Sequence, residues 1–212
     1  MAARLKIVFP AVLAAVAFSV PSANAGLLDP LAPVLQPVVQ IVLPTCGTQS
    51  YPFAQWGDTN PYYPVPNGGF ENGLTGWSVS GGSLVYGNEP WYVSGKGNHS
   101  LSLRPGGSVS SPLVCINLLD PWFRAFAKSN GANGPLNVQV YFYGLTGNLT
   151  GILNFDTFES SDYRDWRPSE KIPSALALPL LTRYAQLRVT SAATSGTWQL
   201  DDVFVDPWIS GV

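Results

Sequence analysis

Leu136-Asn137-Val138-Gln139-Val140-Tyr141-Phe142-Tyr143 is the run whose reading decides the fold. Successive side chains of an extended strand point to opposite faces, so Leu136, Val138, Val140 and Phe142 share one side, and Asn137, Gln139, Tyr141 and Tyr143 the other. A second run repeats the pattern: Ala185, Leu187 and Val189 oppose Tyr184, Gln186, Arg188 and Thr190. Each run has one face for a core and one for water. The polar faces carry Tyr, Gln, Asn and Arg in place of Lys and Glu. Such a face suits contact with a sugar, and equally suits plain wetting in a charge-poor protein.

Outward from these runs, further short strands are expected at residues 76–79, 83–86, 99–103, 108–110, 113–116, 122–128, 151–155 and 197–205. Gly81-Gly82, Gly106-Gly107, residues 129–135 and residues 144–147 punctuate them as turns. No stretch keeps a 3.6-residue period over three turns, and residues 174–181 allow at most one helical turn before Pro179 breaks it. Without βαβ alternation an open parallel sheet is excluded, and the expectation is all-β: a single β-sandwich over residues 67–208.

The N-terminus reads as a secretory signal. Arg4 and Lys6 precede the apolar run Ile7 to Val20, and Ala23-Asn24-Ala25 supplies the small-residue cleavage site, so residues 1–25 are expected to be removed. The apolar run is short and contains Pro10, and no transmembrane segment is expected in the mature chain. The protein should therefore work outside the cell or at its surface. Residues 26–66 form a Pro-rich leader followed by an irregular lead-in studded with Tyr51, Phe53, Trp56, Tyr62 and Tyr63. Export also bears on the two cysteines: an oxidising compartment favours a Cys46–Cys115 disulfide over two buried thiols.

Charge narrows the partners. Losing Arg4 and Lys6 leaves nine basic residues against 13 acidic ones, a net charge of −4, with no basic stripe for nucleic acid or an anionic membrane surface. Catalysis lacks its usual parts too. The one histidine, His99, sits beside a Gly-rich turn and has no triad around it in sequence. Glu89, Glu159, Asp162, Asp165 and Glu170 are loop acids of the kind a glycosidase would need, but also of the kind water usually solvates. A non-enzymatic role is expected.

Aromatics carry the binding argument. Tyr141 and Tyr143 on the polar face, and Trp91, Tyr92 and Trp166 in loops, exceed what one core needs, and flat rings stack on sugars. Trp77 and Trp198 read as core. The favoured partner is a carbohydrate or cell-envelope glycan; the alternative is a structural or adhesive protein using the sandwich to bind another protein.

Two further stretches face each other across the sequence. Asn67-Gly68-Gly69-Phe70-Glu71-Asn72-Gly73-Leu74-Thr75-Gly76-Trp77 is an irregular, Gly-rich turn that carries one acid. Trp198-Gln199-Leu200-Asp201-Asp202-Val203-Phe204-Val205 alternates like a strand, yet holds adjacent acids of which only one can point outward.

Asn67, Gly69, Phe70, Glu71, Gly76 and Trp77, closed by Trp198, Leu200, Asp201, Asp202 and Val203, resemble the galactose-binding-domain-like jelly rolls that include several carbohydrate-binding module families. The wider pattern of Cys46, Gly87-Asn88-Glu89-Pro90, Cys115 and Trp166-Arg167-Pro168-Ser169 also resembles a group of uncharacterised secreted actinobacterial proteins. The first resemblance implies a structural calcium joining the two ends of the domain. Glu71 and Asp201 would be its side-chain ligands, Asp202 the alternate, and Asn67 a helper. The other reading has Glu71 capping turn amides and the two aspartates at a bulge in water.

Overall fold

The computed structural model describes residues 48–116, 122–173 and 182–206. The expected signal, the leader up to residue 47, Cys46 and with it the Cys46–Cys115 pairing, and the 174–181 turn lie outside the described residues. Strands dominate: β1 (Tyr63–Pro64), β2 (Ser78–Tyr86), β3 (His99–Ser110), β4 (Val114–Cys115), β5 (Trp122–Asn130), β6 (Leu136–Gly144), β7 (Leu149–Phe158), β8 (Arg167–Pro168), β9 (Ile172–Pro173), β10 (Thr182–Ser191) and β11 (Thr197–Asp206). Among the described residues the helical content is a single 3-10 turn, Ala54–Trp56, and no helix is long and apolar enough to cross a membrane.

The strands form an antiparallel sandwich, as the alternation predicted, and it is of jelly-roll type, as the resemblance implied. β3 organises it. One side of β3 pairs with β2 along its length; the other side pairs first with β11, Leu101 opposite Leu200, and then with β10, Val109 opposite Val189. One layer therefore runs β3–β11–β5, with β8 and β9 on the far side of β5, and the other runs β3–β10–β6–β7. Inward residues of both layers, among them Leu103, Phe123, Val140, Phe142, Leu187 and Trp198, meet in one core.

The structure departs from the expected strand ends at the glycine pairs. Gly81-Gly82 and Gly106-Gly107 do not stop the chain; β2 and β3 run through them with a register shift between Ser80 and Gly82. The two strands touch there, so closely that a Cβ on Gly107 would stand 2.4 Å from the Gly81 carbonyl oxygen. Lacking side chains, the glycines let the hairpin bend from one layer into the other.

Stretch 67–77 packs against β11. Asn67 holds its shape, donating from Nδ2 to the carbonyls of Gly73 and Thr75 at 3.0 and 3.2 Å and accepting the Asn72 amide at Oδ1. Phe70 is fully buried with its ring 4.9 Å from Trp77, whose indole N–H donates to the Pro66 carbonyl. Gly68 accepts the Val203 amide at 3.2 Å, and a Cβ there would lie 2.6 Å from the Val203 oxygen, so the approach requires glycine.

The conflict of the adjacent acids is resolved by a bulge. Asp201 pairs with Phe126 and Phe204 with Arg124, leaving Asp202 and Val203 together opposite one residue of β5, and Asp202 takes φ 44°. Neither aspartate reaches water: Asp201 is 0% and Asp202 2% exposed.

The outer face of β5 and β11 is covered by the lead-in. Phe53 and Tyr62 bury themselves against Phe126 and Phe204, with Trp56, Val93 and Trp166 at the margin. Asp58 fastens this strap, accepting from Arg124 Nη1 and Tyr62 OH at 2.7 Å each, while the Arg124 guanidinium lies 4.2 Å from the Phe53 ring centre.

Candidate functional site

The other outer face is made by β6, β10 and β7, and the outward side chains of β6 and β10 are half-buried to exposed. Strand alternation buries Leu136, Val138, Val140 and Phe142 and turns Asn137, Gln139, Tyr141 and Tyr143 outward. β10 does the same with Tyr184, Gln186, Arg188 and Thr190. The antiparallel register then sets Tyr143 beside Tyr184, Tyr141 beside Gln186, Gln139 beside Arg188 and Asn137 beside Thr190. On the β7 side, Ile152 lies beside Tyr141 and Asn154 beside Gln139. Beyond β10 the face continues as Ser108 and Ser110 of β3, paired to Ser80 and Ser78 of β2.

Hydrogen bonds hold these side chains in place. Arg188 Nη1 donates to the Tyr141 hydroxyl at 3.4 Å, Tyr141 donates to Gln139 Oε1 at 3.4 Å, and Gln139 Nε2 donates to Asn154 Oδ1 at 2.6 Å. The Tyr143 hydroxyl donates to Gln186 Oε1, whose amide nitrogen is fixed on the Ser111 carbonyl at 2.7 Å. Asn137, Gln139, Asn154, Phe155 and Thr190 line a shallow depression at one end. The arrangement offers ring faces, amide groups and a guanidinium on a rigid strand platform.

Of the five predicted ligand-contacting residues, Tyr141 and Tyr143 lie on this face and Trp91, Tyr92 and Trp166 do not. Trp91 packs its ring 5.0 Å from Trp56 and 5.5 Å from Phe126, on the outer face of the other layer. Trp166 joins the same cluster, and Tyr92 is half exposed in the 87–98 loop at φ 52°. Tyr184, Gln186 and Arg188 belong to the Tyr141 face; their alternation with Ala185, Leu187 and Val189 was the signal that could have found them.

The predicted metal ligands divide as well. Glu71 accepts the Asn98 and His99 amides at Oε1, 2.8 Å each, with Oε2 3.3 Å from His99 Nδ1. Burial raises its pKa, but these donors outweigh that and hold it below the ordinary value. Asp202 receives Ser94 Oγ at Oδ1. Asp201 turns elsewhere, taking the Glu89 amide at 2.9 Å and the Asp202 amide at 2.8 Å. Asn67 spends its side chain within its own turn.

Glu89, read from sequence as a loop acid, is fully buried beside this pair. It accepts the Trp91 and Val93 amides at 2.6 and 2.7 Å. Burial, helped by the neighbouring Asp202 carboxyl group, pushes Glu89 up to about 7. Burial, then the charge of Asp202, pushes Asp201 to about 9, and burial raises Asp202 too. None of the ion pairs among the described residues involves these three acids. Nor do three His, Cys, Asp or Glu side chains among the described residues gather as ligands round one point. Glu71 and Asp202 interact, the charge of Glu71 adding to the upward push of burial on the Asp202 carboxyl group. Each lies against a glycine: a Cβ on Gly97 would stand 2.7 Å from Glu71 Oε1, and one on Gly69 2.7 Å from Asp202 Oδ1.

No protein-family model matches the chain, and no curated protein does. Among solved structures, the enzymatically active domain of tailspike protein 4 from bacteriophage CBA120 is similar at TM-score 0.48 and 12% identity, covering 66% of this chain and 20% of that one, so this chain spans about a fifth of its length. The carbohydrate-binding module TmCBM61, solved with β-1,4-galactotriose, is similar at TM-score 0.41 and 15% identity, covering 68% and 97%. The xylan-binding CBM22-1 domain of Paenibacillus barcinonensis Xyn10C is similar at TM-score 0.42 and 14% identity, covering 65% and 90%.

Proposed function

We propose that this chain is a secreted, non-catalytic carbohydrate-binding module that lays a glycan along the outer face of β6 and β10. The observation that carries the reading is the pair Tyr141 and Tyr143. They stand on one side of one strand, roughly 7 Å apart by the strand rise, and amides and a guanidinium surround them within hydrogen-bonding reach. Tyrosine rings supply flat apolar area for the carbohydrate C–H face, and the Gln, Asn and Arg groups meet its hydroxyls. A polysaccharide of the cell envelope is the extracellular partner that such a face would meet.

Affinity electrophoresis against a panel of polysaccharides tests this. Retention of the wild type should disappear in the Tyr141→Ala/Tyr143→Ala double variant and persist in Trp91→Ala, whose ring packs on the other layer. No retention of the wild type on any polysaccharide would overturn the reading.

Calcium belongs to the same proposal as a structural support held by Glu71 and Asp202. Its charge would relieve the repulsion that Asp202 now shares with Glu89 and Glu71. At about 100 times its Kd it would add about 2.7 kcal/mol, or roughly 5–10 °C in Tm. Glu71→Ala should abolish the shift. The pH dependence has a definite sign. The Glu89 and Asp201 values lie above those of an unfolded chain, so the folded state binds more protons, and that stability is lost as pH rises through about 7 and about 9. In chelator, Tm should fall over this range, and added calcium should flatten the fall. A melt indifferent to calcium at every pH would reject the ion.

A further inference from the structure

Of the outward residues on β6 and β10, one alone is formally charged, and it is a cation. Arg188 is exposed, in a chain whose acids outnumber its bases. The ion pairs among the described residues lie at Asp58 and Glu71, and none involves Arg188. Its guanidinium carbon stands 5.8 Å from the Tyr141 ring centre, and Nη1 donates to the Tyr141 hydroxyl. The arginine is thus oriented by the ring that the glycan would stack on, with its remaining N–H groups uncommitted.

The hydrogen-bond chain from Arg188 has a polarity. Arg188 donates to Tyr141, Tyr141 to Gln139, and Gln139 to Asn154, so the chain begins at the guanidinium and each oxygen along it keeps a lone pair. The guanidinium brings donors alone to this face, whereas the amides and hydroxyls around it both donate and accept. The one charged group among the outward residues of β6 and β10 therefore favours a ligand that carries an anionic acceptor.

Resting on the glycan reading above, we infer that the face selects an acidic glycan, whose carboxylate or sulfate groups take the Arg188 fork through paired charge-assisted hydrogen bonds. Elsewhere the chain's net negative charge repels such a polymer, which concentrates binding on this face and makes it salt-sensitive.

The test uses the full secreted chain in affinity electrophoresis and calorimetry with four probes: polygalacturonate, the same polymer after carboxyl reduction, dextran sulfate, and neutral xylan. Polygalacturonate or dextran sulfate should bind roughly ten- to a hundredfold tighter than the two neutral polymers, the range of a charge-assisted pair. Whichever of them binds names the carboxylate or the sulfate. Arg188→Gln should remove that preference and Arg188→Lys keep part of it, both with unchanged Tm because the side chain is exposed. Equal binding of native and carboxyl-reduced polymer, with neither affected by Arg188→Gln nor exceeded by dextran sulfate, overturns the inference while leaving the glycan reading standing. Retention on none of these or any other polysaccharide overturns both.

Discussion

Asp58→Ala lowers the unfolding free energy by about 3–5 kcal/mol, because it leaves the buried Arg124 guanidinium without its counter-ion. Arg124 and Asp58 are 8% exposed each and meet at 2.7 Å. Arg124 retains its bonds from Nε and Nη2 to the Ser169 carbonyl, at 3.0 and 2.7 Å, and so cannot swing out to water without breaking β5's contact with the 169 turn. Lys171, at 3.1 Å from Asp58 but well exposed, adds little to the total. Urea titration measures the loss, which should exceed that of Lys171→Ala several-fold. Acid gives the same contact a second signature. Burial raises the Asp58 pKa, but hydrogen bonds from Tyr62, Arg124, Lys171 and Asn60 bring it below the ordinary value. Its stabilisation is therefore complete above the ordinary carboxylate range and disappears as pH falls through the depressed value. The difference between wild type and Asp58→Asn should shrink towards zero in strong acid. An Asp58→Ala protein as stable as wild type at neutral pH would show that the strap is not held there.

Trp198→Ala carries a penalty of similar size, about 3–5 kcal/mol, for a different reason. Trp198 is 1% exposed, has its ring 5.8 Å from Tyr163, and donates from Nε1 to the Gly134 carbonyl at 3.1 Å. Its removal opens a cavity between the layers and strands that carbonyl oxygen. The urea midpoint should drop with m unchanged, since the same surface is still exposed on unfolding. Trp198→Phe should recover most of the packing and none of the hydrogen bond.

Strands β6 and β10 were legible in the sequence because one face of each is core and the other solvent, so period-2 alternation is written without interference. β2 and β3 were legible in part. Their glycine pairs are turn signals locally, and only the pairing of the two strands makes them bends within continuous strands. The adjacent acids Asp201 and Asp202 announced a conflict with alternation, and the bulge is its answer. Their burial was not announced, since it depends on the 87–98 loop closing over them with Glu89, a contact 112 residues distant in sequence from Asp201. Asp58 and Arg124, 66 residues apart, were invisible for the same reason. Trp91, Tyr92 and Trp166 were grouped with Tyr141 and Tyr143 by residue type alone, which cannot say on which face of a sandwich a loop aromatic lands.

The strap of residues 51–62 has a consequence for valence. By seating Phe53 and Tyr62 on Phe126 and Phe204, it occupies the outer face of β5 and β11, so among the described residues that face is withheld from a ligand while the β6–β10 face keeps its outward side chains partly exposed. On the glycan reading proposed above, one copy would engage one polymer strand, on the β6–β10 face. It would decorate a polysaccharide without cross-linking it, and any avidity on a surface would have to come from several copies arrayed together.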